Sequence, residues 1–343
     1  MEKIDRFMAV EAEKSGEEQY FSADDPRFIL NGFHWRKKGE PFRRIPLDPQ
    51  LPEAVNILAA QASGGVLRFR SDTSLIKIKT KVRVRNNNAD IMSYGRIGFD
   101  LYIDGIYRTV TRLNFDSIKT LEYSYVSTLL ESSDGAMHDY KLYFPLYAEV
   151  LEFGIAFSQD ARFESPAPFA DERPIVLYGT SIEHGCCASR PGLSLTNQIS
   201  RNLNRPVLNY GFSGSGKGEA SVAEQLAKIE NPYLYILSYD ANVSPELLEK
   251  TLNPFVQILK KAHPETPVIS VSHLQIPKQD PKSEWHTRRT AAHKKAGTEF
   301  LDGLTILGRD YDACYIDNVH PNDLGMRRYA DALTAKIKEV MSI

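Results

Sequence analysis

The sequence predicts two domains: an all-β, jelly-roll-like sandwich over residues 1–165, then an α/β three-layer domain over residues 172–343 built on a parallel five-stranded sheet. Three observations carry this. From Gly65 onward apolar and basic residues alternate with the period of a half-exposed strand, as in Leu75-Ile76-Lys77-Ile78-Lys79-Thr80-Lys81-Val82-Arg83-Val84. Between Ser158 and Pro174 the pattern lapses into a candidate linker punctuated by Pro166, Pro168 and Pro174. Beyond it, apolar runs of four or five residues alternate with stretches of helical spacing, which is how βα units read.

Residues 1 to about 60 are irregular by pattern, broken by Pro41, Pro46, Pro49 and Pro52, with Trp35 and Phe42 available to cover a neighbouring surface. Strands follow at Val66–Arg70 and Leu75–Val84, and Asn86-Asn87-Asn88 signals a turn. Phe99–Ile103 and Tyr107–Val110 flank Asp104-Gly105, a pair that tolerates the positive φ of a tight hairpin. Tyr140–Phe144 and Val150–Ile155 continue the series, without a helical period anywhere in this half. In the second half strands are expected at Ile175–Tyr178, Val207–Tyr210, Tyr233–Leu237, Val268–Val271 and Cys314–Ile316. Helices are expected at Leu193–Leu203, Ala220–Ile229, Pro245–Ala262, Thr287–Leu304 and Asp323–Met341.

A chain of 343 residues can bury two substantial cores. Its formal net charge of −2 provides no global field for nucleic acid or an anionic membrane, so neither is expected as a partner. The cations on the early strands read as a solvated, aggregation-resistant sheet face. Met1–Phe7 carries no apolar signal core, and no run of eighteen apolar residues occurs, so a soluble cytoplasmic protein is expected. The three cysteines, Cys186, Cys187 and Cys314, form neither a disulfide framework nor a zinc-finger spacing. They read as plain thiols, the first two near enough to Ser181 to line its pocket. No cluster with metal-ligand spacing stands near the strand ends, so no metal or other cofactor is expected. Whether the chain forms a homo-oligomer is left open.

In a parallel sheet all βα loops emerge at one edge, where ligands bind. Polar residues stand there after four of the expected strands: Gly179-Thr180-Ser181, Gly211-Phe212-Ser213-Gly214-Ser215-Gly216, Ser238-Tyr239-Asp240-Ala241-Asn242 and Asp317-Asn318-Val319-His320-Pro321. Ser181 is the candidate nucleophile and His320 its base. Asp317, three residues before His320, can hold the other ring nitrogen. The backbone N–H groups of Ser181 and Gly214 and the side-chain amide of Asn242 are candidate oxyanion donors. Each has a plain alternative. Ser181 and Asn242 could cap helices, and Gly211–Gly218 could be a phosphate loop, although it lacks the spacing of one. The conjunction of the four stretches in this order favours the catalytic reading.

These residues make the second half resemble the SGNH (GDSL-type) hydrolase superfamily, whose four blocks carry Ser, Gly, Asn and His. Gly98-Phe99-Asp100-Leu101-Tyr102 and Ala188-Ser189-Arg190-Pro191-Gly192 are similar to the two-domain acylhydrolases with an N-terminal Gly-x-Asp-Leu-Tyr signature. Three positions depart from the superfamily pattern: Thr180 for the usual Asp, a third block without the Gly-x-Asn-Asp form, and Asn318 for a common glycine. The second makes Asp240 a rival to Asn242, though its carboxylate would repel an oxyanion.

The resemblance implies a serine esterase acting on short acyl groups, typically acetyl, carried on a small molecule or oligosaccharide. Trp35 or Trp285 could stack on a sugar ring and Arg190 could touch substrate; core packing and a structural salt bridge are the alternatives. An acyltransferase with the same triad, or a catalytically silent carbohydrate-binding protein, are the competing functions.

Overall fold

The computed structural model describes residues 18–85, 91–113, 121–276, 280 and 282–343; the turn expected at Asn86-Asn87-Asn88 lies outside them. In chain order the first half holds strands β1 (Ile29–Asn31), β2 (Val66–Ser71), β3 (Ile76–Val84), β4 (Asp100–Ile103), β5 (Ile106–Val110), β6 (Glu122–Leu130), β7 (His138–Tyr143), β8 (Ala148–Phe157) and β9 (Phe163–Glu164). They form two antiparallel sheets, β1-β2-β7-β4-β5 with β9 beside β2, and β6-β3-β8. One aromatic-rich core lies between the sheets, with Phe69, Tyr140 and Leu142 from the first and Ile78, Val82 and Ile155 from the second.

The alternation read from β3 is physical. Ile76, Ile78, Thr80, Val82 and Val84 are buried, while the cations between them are not. Lys81 and Arg83 meet Glu122 at 3.2 and 2.7 Å, and Arg83 also meets Glu149, so the outer face of this sheet is neutralised by its own neighbours. Asp104 (φ 50°) and Gly105 (φ 80°) make the hairpin turn between β4 and β5. Two helices, α1 (Glu53–Leu58) and α2 (Ser93–Ile97), were not expected; each is under two turns, too short to show a period.

The second half holds β10 (Ile175–Gly179), β11 (Val207–Gly211), β12 (Leu234–Ser238), β13 (Val268–Val271) and β14 (Glu299–Leu301), with helices α3 (Ser181–His184), α4 (Leu195–Leu203), α5 (Ala220–Leu226), α6 (Pro245–Ala262), α7 (Glu284–Lys295) and α8 (Asp323–Met341). The sheet is parallel throughout, in the order β11-β10-β12-β13-β14. β10, β11 and β12 are buried at every residue, which is why they read as unbroken apolar runs. Alternate residues feed two cores. Val176, Tyr178 and Leu237 meet α5 and α6 on one face. Leu177 and Ile236 meet α4 and α8 on the other. Ile45, Leu51, Val55 and Ala59, from the stretch read as irregular, close the first of these cores.

The fifth strand is a correction. It is β14, inside the segment expected to be helical; α7 stops at Lys295, and Gly297 at φ 68° turns the chain into it. Tyr311–Cys314 forms a 3-10 turn instead of a sheet strand, and Tyr315 makes only a bridge to Pro321. The loop carrying Asp317 and His320 therefore does not follow a sheet strand. It is a closed hairpin-like loop, pinned by Ile316 N–H to His320 O (3.1 Å) and feeding directly into α8.

Candidate active site

β10 ends at Gly179, and Thr180 caps the single turn of α3. The Thr180 hydroxyl accepts from the Ile182 N–H (3.2 Å), while the Glu183 carboxylate accepts from the Thr180 N–H (2.7 Å), a capping box. Ser181 is thereby the first residue of a helix, where its own N–H has no intrahelical acceptor and faces whatever lies beyond the helix end. Glu183 is fully buried, which pushes its carboxyl up, and it also accepts from the Ser238 hydroxyl at the end of β12 (2.8 Å). The first and third loops are thus tied together beneath the serine.

The structure brings three of the expected residues together. Ser181 Oγ lies 2.8 Å from His320 Nε2, and His320 Nδ1 lies 2.7 Å from Asp317 Oδ2. The other Asp317 oxygen accepts the N–H groups of Val319 and His320 at 2.7 and 2.6 Å. Against the upward push of burial, the ring and these N–H groups hold Asp317 below the usual carboxylate range. Burial alone would lower the His320 ring, but the Cys186 sulfur and the Asp317 carboxylate outweigh it and raise the ring to about 9. Such a chain can take a proton from the serine hydroxyl as it attacks and return it to a leaving group.

Gly214 is exposed on the second loop at φ 67°, with open space where a Cβ would stand, so its backbone can approach a bound molecule. Gly211, by contrast, is needed for packing: a Cβ would stand 2.1 Å from the His184 backbone nitrogen. The Asn242 amide donates to Gly216 O (3.2 Å), which holds it against this same loop.

Asp240 is elsewhere. Buried beneath the third loop, it ion-pairs with Arg289, lies 3.2 Å from His293 Nε2 and accepts from the His273 N–H. Arg289 also binds the carbonyls of Asp240 and Val243, so the pair fixes the turn that presents Asn242. Trp285, half-buried, has the Arg289 guanidinium 3.8 Å from its ring centroid.

Arg190 and Trp35 do not join the cluster. Arg190 Nη1 donates to Asp100 (2.7 Å) and to the Tyr102 hydroxyl (2.8 Å), and its guanidinium lies over Tyr107. Asp100 also accepts the Gly192 N–H (2.7 Å), so the signature Asp of the first domain clamps the loop that follows the nucleophile. Trp35 packs on Tyr210, against the α5/α6 core of the sheet.

Sequence reasoning missed further parts of the surroundings. Arg44 is wholly buried and donates to Gly211 O, Gln61 O and Leu58 O, fastening the second loop to the first domain. His184 is stacked on Tyr147 with centroids 4.2 Å apart and its Nε2 3.0 Å from Leu146 O; burial keeps it neutral, well below the usual imidazole range. It packs at the contact between the two halves of the chain. The Thr180-x-x-Glu183 spacing was a legible capping signal; nothing in the local pattern marked Arg44 or His184.

Comparison with known proteins adds the family. A sequence model of the GDSL-like Lipase/Acylhydrolase family matches residues 172–338, and a model described as the N-terminus of Esterase_SGNH_hydro-type proteins matches residues 18–163. A search of curated proteins finds no match. Among solved structures, a GDSL-like lipase candidate from Bacteroides ovatus is 28% identical, with a TM-score of 0.82 over 95% of this chain and 98% of that one. A salicylyl-acyltransferase from a tetracycline biosynthetic pathway, 17% identical, has a TM-score of 0.77 over 96% and 99%. An acetyl xylan esterase from Butyrivibrio proteoclasticus, 13% identical, has a TM-score of 0.59 over 94% and 99%.

The fold and the family define an acyl-ester hydrolase. The chain belongs to the SGNH (GDSL-type) hydrolase superfamily, in the two-domain branch whose first domain carries the Gly-x-Asp-Leu-Tyr signature.

Proposed function

We propose that the protein removes short acyl groups, acetyl foremost, from carbohydrate esters by serine catalysis. The observation that carries the reading is the unbroken chain from Ser181 Oγ through His320 to Asp317 at 2.8 and 2.7 Å. Ser181 Oγ attacks the ester carbonyl and its proton passes to His320 Nε2. The imidazolium, steadied by Asp317, gives that proton to the departing alcohol. Water then attacks the acyl-enzyme by the same route and frees the acid. The Ser181 and Gly214 N–H groups and the Asn242 amide serve as the oxyanion donors. The carbohydrate part is supported by the likeness in fold to an acetyl xylan esterase.

A second reading, acyl transfer to an acceptor alcohol through the same intermediate, is supported by the likeness in fold to the salicylyl-acyltransferase. Hydrolysis of acetylated oligosaccharides and of longer-chain aryl esters, with and without an acceptor alcohol, separates the two. Ser181→Ala is expected to reduce turnover of p-nitrophenyl acetate by roughly 10⁶-fold, as loss of a serine nucleophile does elsewhere. A Ser181→Ala protein as fast as the wild type ends the proposal.

A further inference from the structure

Cys186 and Cys187 are adjacent in sequence, and in an extended chain their side chains would point to opposite sides. Here they do not. Cys187 is held at φ 68°, a left-handed conformation that a residue with a Cβ seldom adopts. The two sulfurs consequently stand 3.2 Å apart, outside bonding distance, in a pocket where the cysteines are 4% and 3% exposed. Both sulfurs and a ring nitrogen of His320 lie within 4.8 Å of one another. Asp317 occupies Nδ1, so the nitrogen left to face a ligand is Nε2, the one beside Ser181.

We propose that Cys186, Cys187 and His320 form a binding site for a thiophilic divalent cation, zinc being the best fit, and that the bound cation silences the serine. Donors around a tetrahedral zinc, with bonds of about 2.3 Å to sulfur and 2.0 Å to nitrogen, stand about 3.5–3.8 Å apart. The cluster reaches that arrangement with small side-chain movements. Two thiolates and an imidazole choose zinc over magnesium or calcium, which prefer oxygen. The His–Asp pair is already the outer-sphere arrangement of zinc sites, in which a carboxylate holds the far nitrogen of a metal-binding imidazole. Ser181 Oγ, 2.8 Å from Nε2, is placed to complete the coordination or to yield to water. Binding releases to solvent the protons that the two thiols and His320 Nε2 carry and involves no change of oxidation state. A cation on Nε2 takes the lone pair that must accept the serine proton, so metal binding and catalysis exclude one another.

The binding half stands apart from the esterase reading; only the inhibition half rests on it. Cobalt(II) added to the reduced, chelator-treated full-length protein is expected to produce a thiolate-to-cobalt charge-transfer band in the near ultraviolet, saturating at one equivalent. The same band is expected in Ser181→Ala. Zinc is expected to inhibit p-nitrophenyl acetate hydrolysis, and Cys187→Ser, normalised to its own zinc-free rate, to need at least about 10-fold more zinc. Even an outer-sphere partner costs metal sites that much when it is lost. Absence of the band at stoichiometric cobalt in the wild-type protein overturns the site. Equal zinc sensitivity of Cys187→Ser and wild type overturns it as well. A band in a protein without esterase activity leaves the metal site standing and removes the catalytic reading instead.

Discussion

Asp100, the central residue of the Gly-x-Asp-Leu-Tyr signature, allows a test in which the sign of the effect is informative. Its side chain is fully buried, and Oδ2 accepts from Arg190 Nη1 and the Gly192 N–H, both at 2.7 Å. Burial outweighs these partners and lifts its pKa to about 6, from an ordinary value of 3.8. A carboxyl raised on folding binds its proton more tightly in the folded state. Its contribution to stability is therefore fully present below about pH 4 and lost as pH rises through about 6. Two pKa units at 1.36 kcal/mol each give a loss of about 3 kcal/mol. Asp100→Asn keeps the shape and an acceptor for the loop but cannot titrate. Urea unfolding of both proteins from pH 4 to pH 8 should show the wild type losing about 2.5 kcal/mol of this relative to Asp100→Asn, since the unfolded carboxyl is already partly ionised at pH 4. A flat difference, or a wild type that gains relative stability as pH rises, would mean that the Arg190 pair overcomes burial, and the reasoning would fail.

Other consequences are simpler to read. Asn242→Ala should lower kcat on p-nitrophenyl acetate by about 10²- to 10³-fold with little change in KM, as removal of one oxyanion donor does. Asp317→Asn, which leaves the ring in the wrong tautomer, should cost about 10⁴-fold in kcat, with circular dichroism unchanged. In chelator-treated enzyme, kcat/KM should climb with pH up through about 9, because the base must be neutral and its ring is held up at that value. Cys186→Ala removes the sulfur that helps hold it there, so the acidic limb should move down toward the ordinary imidazole range. A limb that stays in place counts against the Cys186–His320 contact.

The candidate constellation was legible because the backbone requirements that build it are local. Ser181 and Gly214 stand where apolar runs end in glycine, which is how a buried strand gives way to a loop. The Asp317–His320 pair needs only a three-residue turn. The fifth strand was not legible: at three residues β14 is too short for an alternation to show, and pairing with β13 selects it. Arg190, Trp35 and Asp240 were left with alternatives for a shared reason. Their partners, Asp100, Tyr210 and Arg289, lie 49 or more residues away, and spacing within one element says nothing of such pairs.

Those long-range pairs also explain how the first domain shapes the candidate site without supplying Ser181, His320 or Asp317. The chain after α3 passes through Gly185 at φ 108° and Cys187 at φ 68°, so it cannot continue as a helix and proceeds through short local turns, such as Ala188 N–H to Gly185 O and Leu193 N–H to Arg190 O. Contacts from the first domain add to these. Asp100 grips Gly192 and Arg190, the Leu146 carbonyl and the Tyr147 ring hold His184, and Arg44 holds the loop of Gly211 from beneath. Every one of these donors or acceptors is buried or half-buried, where an unmatched polar group costs roughly 1–3 kcal/mol, so the interface tolerates few registers. The signature Asp then reads as a determinant of loop geometry beside the serine, with Arg190 as its counterion.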